Sequence, residues 1–396
     1  MWVVHQIHPD IQIHQIHLDS PEPGECRVPT TENPFRPTAG ATPPEVIGRS
    51  GLLDEFEYGL DLGSGAPGLL SIFTGARGIG KTVMLGAAHA VAREHGWAVI
   101  AETATGTFMG RIGEKMRRLT HELADNPESR RRITGLSIAG FSITSQLTPE
   151  RQVDWRELGE TLLTLLDERG TGLLITVDEI HAADRAELAQ LAANVQHFIQ
   201  DRLPIALIFA GLPSAVSDLL NEGVATFLRR ADKIDLHAAA VRDVEKSYTD
   251  TFAAANINIR PELVSEAATA TGGYPFLIQL IGYFLWREAE KNNGQLSRDA
   301  VDRAITAGIR RNERVVIEAA LAAASAKDRE FLHAMSIDDG PSATADIIRR
   351  TGSRPTLIAK YRNRLLDAGL IESTEHGKVD YAIPGLREYL RKNPDS

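Results

Sequence analysis

Gly75-Ala76-Arg77-Gly78-Ile79-Gly80-Lys81-Thr82 follows the pattern G-x-x-x-x-G-K-[ST]. This pattern constrains the fold because it works in one setting only: a buried strand must deliver the chain to the glycines, and a helix must start at the lysine. Both are legible. Leu69–Thr74 is a short apolar run, and Val83–His95 has helical spacing and closes at Gly96. Glycines let successive backbone N–H groups turn inward around a phosphate, and the positive end of the helix dipole adds to the attraction. Gly75, Ala76, Arg77, Gly78, Ile79, Gly80, Lys81 and Thr82 are therefore the expected nucleotide-binding loop. Lys81 is expected to reach the β- and γ-phosphates, and the Thr82 hydroxyl to ligate Mg2+.

Leu173-Leu174-Ile175-Thr176-Val177-Asp178-Glu179 supplies the second half of such a site. An acidic pair after an apolar run is commonly no more than a strand end. About a hundred residues after a phosphate loop, it reads as the partner of that loop. Asp178 is then expected to hold Mg2+, and Glu179 to polarise the attacking water. The guanine-reading Asn-Lys-x-Asp pattern is absent, which favours ATP.

A chain of 396 residues suggests two or three domains. With 43% hydrophobic and 24% charged residues it can build a real core, which excludes wholesale disorder. Its longest apolar stretch, near Ile205–Leu212, falls far short of the ~18 residues of a spanning helix. The N-terminus lacks a basic region followed by an apolar core, so no secretory signal is expected. Cys26 is the single cysteine, which points to a reducing cytoplasm. A net charge of −10 excludes a nonspecific nucleic-acid coat but leaves room for a local basic face.

Residues 1–44 read as a low-complexity tail and linker. His5, His8, His14 and His17 form two His-x-x-His pairs without cysteine or carboxylate partners, a weak case for a metal, and a run of prolines follows. Residues 45–236 alternate strands and helices, the pattern of a parallel sheet covered on both faces. Strands are expected at Trp97–Thr103, Leu173–Val177, Ile205–Ala210 and Lys233–Leu236, with a small hairpin inserted at Ile133–Thr144. Residues 237–325 read as all-helical, with helices at Val241–Ala255, Pro261–Thr271, Pro275–Asn292 and Ser297–Ala307 and a connecting helix at Asn312–Ala324.

Residues 326–396 form a third unit: helices at Asp328–Ser336, Thr344–Thr351 and Pro355–Ala368, then a hairpin of Leu370–Ser373 and Val379–Ile383. Three helices followed by a two-stranded wing resemble a winged helix-turn-helix. Between Pro341 and Arg364 the basic residues Arg349, Arg350, Arg354, Lys360, Arg362 and Arg364 stand against Asp346 alone. Ile358, Tyr361 and Leu365 share the apolar face of the third helix, leaving Arg354, Lys360 and Arg364 as expected contacts to duplex DNA. The competing reading is a protein-docking module with a solvated basic face.

Taken together, the loop, the Asp178-Glu179 pair and the trailing helical lid resemble an AAA+ ATPase, and more narrowly the origin-recognition initiator-like clade. The resemblance implies an α/β P-loop NTPase sheet, a helical lid and a C-terminal winged helix. It implies ATP and Mg2+ as ligands and an ATP-dependent homo-oligomer. Gly48 and Arg49 stand where that family places its adenine-contacting box, and Arg229 and Arg230 where it carries an arginine finger. Gly272-Gly273-Tyr274-Pro275 opens the lid helix, with Pro275 where the second sensor's arginine is usual. The fourth strand ends Ile208-Phe209-Ala210-Gly211 without a polar sensor, Ser214 being the nearest candidate. These departures leave nucleotide binding secure and point to slow hydrolysis. The expected activity is an ATP-hydrolysing switch coupled to DNA binding. A signalling or defence regulator docking a protein partner, and a transposition-type ATPase marking target DNA, are the alternatives.

Overall fold

The computed structural model describes residues 32–38, 47–49, 51–125, 155–221, 226–375 and 377–394. The tail histidines and the expected hairpin at Ile133–Thr144 lie outside the described residues.

The first unit comprises α1 (Asp54–Leu62), β1 (Leu70–Thr74), α2 (Lys81–Glu94), β2 (Ala98–Thr103), α3 (Phe108–Asp125), α4 (Trp155–Asp167), β3 (Leu173–Asp178), α5 (Arg185–Gln200), β4 (Ile205–Gly211), α6 (Pro213–Asn221) and β5 (Asp232–Asp235). The five strands form one parallel sheet in the order β2-β3-β4-β1-β5. β3 and β4 are buried along their whole length, which is why they read as largely apolar runs. One face carries α3, α4 and α5 through Phe108, Met116, Leu162 and Leu191, among others. The other face carries α1 and α2 through Phe56, Met84 and Leu85. β1 lies centrally, so the loop that leaves Thr74 stands at the carboxyl edge, beside the ends of β3 and β4. Such edges collect ligands in open α/β sheets.

The second unit comprises α7 (Val241–Ala254), β6 (Asn258–Ile259), α8 (Pro261–Ala270), α9 (Pro275–Lys291), β7 (Gln295–Leu296) and α10 (Arg298–Asn312). It is not wholly helical: β6 and β7 make a two-residue parallel pair that no periodicity could signal. The segment before the first unit also contributes here. Phe35 is buried among Tyr248 and Phe252, and the Arg36 N–H donates to Gln279 Oε1 at 2.8 Å. The stretch of linker at 32–38 is thus packed on the helical unit. Past Asn312 the helix continues through a π turn (Glu313–Ile317) into α11 (Glu318–Ala322), so the two helices expected there are one rod.

The third unit comprises α12 (Ala326–Ser336), β8 (Ser342–Ala343), α13 (Thr344–Thr351), α14 (Pro355–Asp367), β9 (Ile371–Glu375), β10 (Lys378–Tyr381) and α15 (Leu386–Lys392). β8, β10 and β9 form an antiparallel sheet beside the helices, over a core including Phe331, Ile347, Ile358 and Leu365. No helix among the described residues is long and apolar enough to cross a membrane.

Candidate functional site

Gly78 and Gly80 have φ of 73° and 95°, and α2 begins at Lys81, so the loop turns sharply into the helix N-terminus. Lys81 is 6% exposed, and its Nζ donates to Gly75 O and Ala76 O, both at 2.9 Å. An ammonium has three donors. Two hold the loop's own carbonyls, and the third is left for a phosphate. Burial pushes the lysine pKa down, while Glu179 and Asp178 pull it back up. The two carboxylates therefore help keep the group a cation.

β3 brings Asp178 beside the loop. Thr82 Oγ1 donates to Asp178 Oδ2 at 2.6 Å, and Asp178 Oδ1 accepts the Glu179 N–H at 2.8 Å. A hydroxyl and a carboxylate this close are hard oxygen donors that suit Mg2+, which keeps several waters and takes one or two protein ligands. The residues present fit both ATP and the metal.

Arg49 also reaches the loop. Its Nη2 donates to Ile79 O at 3.1 Å and to His237 O at 2.6 Å, and Gly48 packs on Ala239. The segment before α1 and the residues just before α7 thus meet at this loop. Pro275, the first residue of α9, lies 3.8 Å from where a Cβ on Gly80 would stand. It lines the loop but offers no cation.

Arg229 and Arg230 lie elsewhere. They end a 3-10 turn (Thr226–Arg230) just before β5, and Arg229 Nε donates to Leu220 O at 2.9 Å. β5 runs parallel to β1 with Asp232 opposite Ser71. Both arginines therefore sit at the amino edge of the sheet, roughly 13 Å of strand from the chain's own loop.

Several functional contacts had no sequence signal. Tyr274, 1% exposed, donates its hydroxyl to Arg77 O at 2.6 Å, tying the lid to the middle of the loop. Burial raises the phenol pKa, so it stays a donor. A Cβ on Gly78 would stand 1.9 Å from that hydroxyl. Only glycine fits there, and Gly78→Ala should lower ATP affinity at least about 10-fold, because the clash and the left-handed strain of roughly 1–2 kcal/mol both oppose the bound loop. Tyr274→Phe should cost about 1 kcal/mol of stability, read in a nucleotide-free melt. His89 of α2 has Nε2 2.7 Å from Thr176 Oγ1, and burial, reinforced by Arg93, lowers its pKa to about 4. The neutral ring ties the helix behind the loop to the strand that presents Asp178. A lone histidine on a helix gives no hint of this. His181 Nδ1 lies 3.1 Å from Glu179 Oε2.

On α14 the expected basic face is smaller than the sequence window suggested. Arg364 donates to Asp328 Oδ1 and Ser325 Oγ, and Asp328 is buried, its pKa lowered against burial by Arg364 and Ser325. Arg350 is paired with Asp338, which Arg350 pulls to a pKa of about 2. Arg349 pairs with Asp346, and Arg362 bonds Ser373. Among the described residues, Arg354 and Lys360 are exposed with no ion-pair partner. The third unit also touches the nucleotide loop. A Cβ on Gly369, just past α14, would stand 3.2 Å from Arg77 Cγ and 3.1 Å from Leu212 Cδ2.

Residues 45–208 match the model of the AAA ATPase domain, and residues 314–390 match a domain of unknown function (DUF8462). No curated protein matches the chain. Among solved structures, a Walker-type ATPase of Pyrococcus abyssi is similar at 16% identity and a TM-score of 0.62, over 87% of this chain and 96% of that one. The ORC2 protein of Aeropyrum pernix in its ADP form is similar at 16% identity and a TM-score of 0.51, over 90% and 96%. At these identities the likeness is one of fold: the α/β unit with its five-stranded parallel sheet is that of AAA+ P-loop ATPases.

Proposed function

We propose, from the match of residues 45–208 to the AAA ATPase domain, that this protein is an ATP-hydrolysing switch that couples nucleotide state to duplex DNA. The observation that carries the reading is the convergence of Lys81, Thr82, Asp178 and Glu179 at one sheet edge, with the Thr82–Asp178 bond at 2.6 Å.

Lys81 presents its free N–H to the β- and γ-phosphate oxygens. Glu179 accepts a proton from the water that attacks the γ-phosphorus, as the bond to the bridging oxygen breaks to give ADP and phosphate. Thr82 and Asp178 would hold Mg2+, whose charge offsets that of the phosphates. An arginine from a neighbouring subunit completes the site, since Arg229 and Arg230 sit at the far edge of their own sheet. Pro275 in place of a sensor arginine supports slow turnover.

The third unit reads as a winged helix: three helices with a β8-β10-β9 sheet, and α14 as the helix offered to a groove. The contact of Gly369 with Arg77 and Leu212 supports coupling, because the end of α14 rests on the nucleotide loop. Arg354 and Lys360 are the DNA contacts we favour, with Arg364 engaged by Asp328. Each phosphate neutralised contributes about −0.9 to the slope of log affinity against log salt, so Arg354→Ala/Lys360→Ala should flatten that slope by about 2. A protein partner is the second reading; Leu357, 43% exposed between those two cations, favours it. ATPase activity with and without duplex DNA, alongside size-exclusion chromatography with ATP, separates the two. Stimulation by DNA supports the first reading, and no binding at low salt on any duplex supports the second.

A further inference from the structure

Asp178 ends β3, and the chain then makes a single 3-10 turn (Ile180–Ala182) before α5. The turn is locked from beneath. Ile180 is buried under the end of β4, where a Cβ on Gly211 would stand 2.4 Å from Ile180 Cγ1. It is also locked along its backbone, because the Ala182 N–H donates to Glu179 O at 2.8 Å and the Glu179 N–H donates to Asp178 Oδ1. Glu179 is held at φ 58°, ψ 42°, a left-handed conformation unusual for a residue with a side chain. Such strain persists only where surrounding contacts determine it, and it gathers at functional sites. In this conformation the Glu179 carboxylate lies beside His181.

The two side chains meet with Nδ1 3.1 Å from Oε2, the imidazole being 23% exposed and the carboxylate 45%. A carboxylate only accepts, so a hydrogen bond between the two requires the proton on Nδ1. Burial, together with Arg77 and Lys81, outweighs the pull of Glu179 and Asp178 and holds the His181 pKa below its usual value. That favours the neutral ring, which carries one N–H. His181 also lines a crevice of about 260 Å³ together with Ser214 and Asp218 of α6 and Asp367, the last residue of α14.

We infer that His181 is a positioning residue for hydrolysis: its Nδ1–H holds the Glu179 carboxylate in the orientation from which the other oxygen faces the attacking water. This rests on the reading of Glu179 as the group that takes the water's proton. A base oriented by a third group is the arrangement that makes a general base effective. Because His181 acts through Glu179, its contribution falls on the chemical step and not on ATP binding.

The test is single-turnover hydrolysis of radiolabelled ATP by full-length protein in excess, with ATP affinity measured separately. His181→Phe keeps the ring and loses the donor. His181→Asn loses the ring and keeps an N–H close to the position of Nδ1. His181→Phe should lower the hydrolysis rate roughly 10- to 100-fold with ATP affinity within about 3-fold of wild type, and His181→Asn should recover most of the rate. A merely structural role would give the reverse order, with the ring-shaped variant nearer wild type. That result, or a wild-type rate in His181→Phe, would overturn the inference. Glu179→Gln is run in parallel. If it hydrolyses ATP normally, or if the wild type shows no turnover, the reading of Glu179 falls and the inference with it. If Glu179→Gln is inactive and His181→Phe is not, only the inference falls.

Discussion

Glu179→Gln protein is expected to bind ATP with wild-type affinity and to hydrolyse it about 100- to 10,000-fold more slowly, the range over which a positioned general base acts. The substitution keeps the size of the side chain and removes its charge, and with it the capacity to take a proton, while Asp178 still supports the Lys81 cation. Asp178, Thr82 and Lys81, which make the loop's own contacts, are untouched. The ATP-bound state should then accumulate, and any ATP-dependent oligomer should persist in size-exclusion chromatography. Lys81→Ala should behave differently. Its ammonium bridges Gly75 O and Ala76 O from a buried position, so its loss removes both the phosphate cation and the brace that closes the loop. ATP binding should fall by at least about 100-fold, corresponding to roughly 2.7 kcal/mol. Equilibrium binding of labelled ATP distinguishes the two variants. Wild-type turnover by Glu179→Gln would remove that residue from its role.

Removal of Arg229 and Arg230 together should slow hydrolysis about 1,000-fold or more while leaving ATP affinity of the isolated subunit nearly unchanged, as a finger supplied in trans acts on the transition state. The geometry motivates this, since both side chains sit at the amino edge of β5 while the loop leaves the carboxyl edge of β1. Arg230 is the better candidate, because Arg229 Nε is held by Leu220 O. Mixing the double variant with Lys81→Ala protein should restore part of the activity. The Lys81→Ala subunit binds no ATP but can lend its arginines to the neighbour that does. Absence of rescue at every mixing ratio, with mixed oligomers demonstrated, would make these arginines structural.

The contrast between the two ends of the chain shows what kinds of information a sequence holds. The phosphate loop and the Asp178-Glu179 pair were legible because their chemistry is contiguous. Eight consecutive residues make the cradle, and a strand must end in carboxylates for them to reach it. β3 and β4, buried on both faces, announced themselves by largely apolar runs, broken before the terminal Asp178 only by Thr176 of β3, and the helices by periodicity and by closing glycines. The short elements did not, since β6, β7 and β8 have two residues each and no period to detect. α1, α6 and α15, of seven to nine residues, also passed unread.

Charge was the least legible property. A window from Pro341 to Arg364 counts six basic residues against one acid, yet Asp328 and Asp338, which neutralise Arg364 and Arg350, lie upstream of it on α12 and just beyond. A linear window cannot see charges that folding brings from outside it. Tyr274, His89 and Phe35 were missed for a related reason. Each acts through one long-range contact, with Arg77, Thr176 and the pair Tyr248 and Phe252 respectively, and a single contact leaves no pattern in the chain. The sequence by itself thus determined that a nucleotide loop stands at the end of a buried strand, because local backbone geometry and burial leave periodic, contiguous marks. Only the tertiary structure decided which side chains brace that loop and which basic residues of the third unit are already paired, because those follow from distances between residues far apart in the chain.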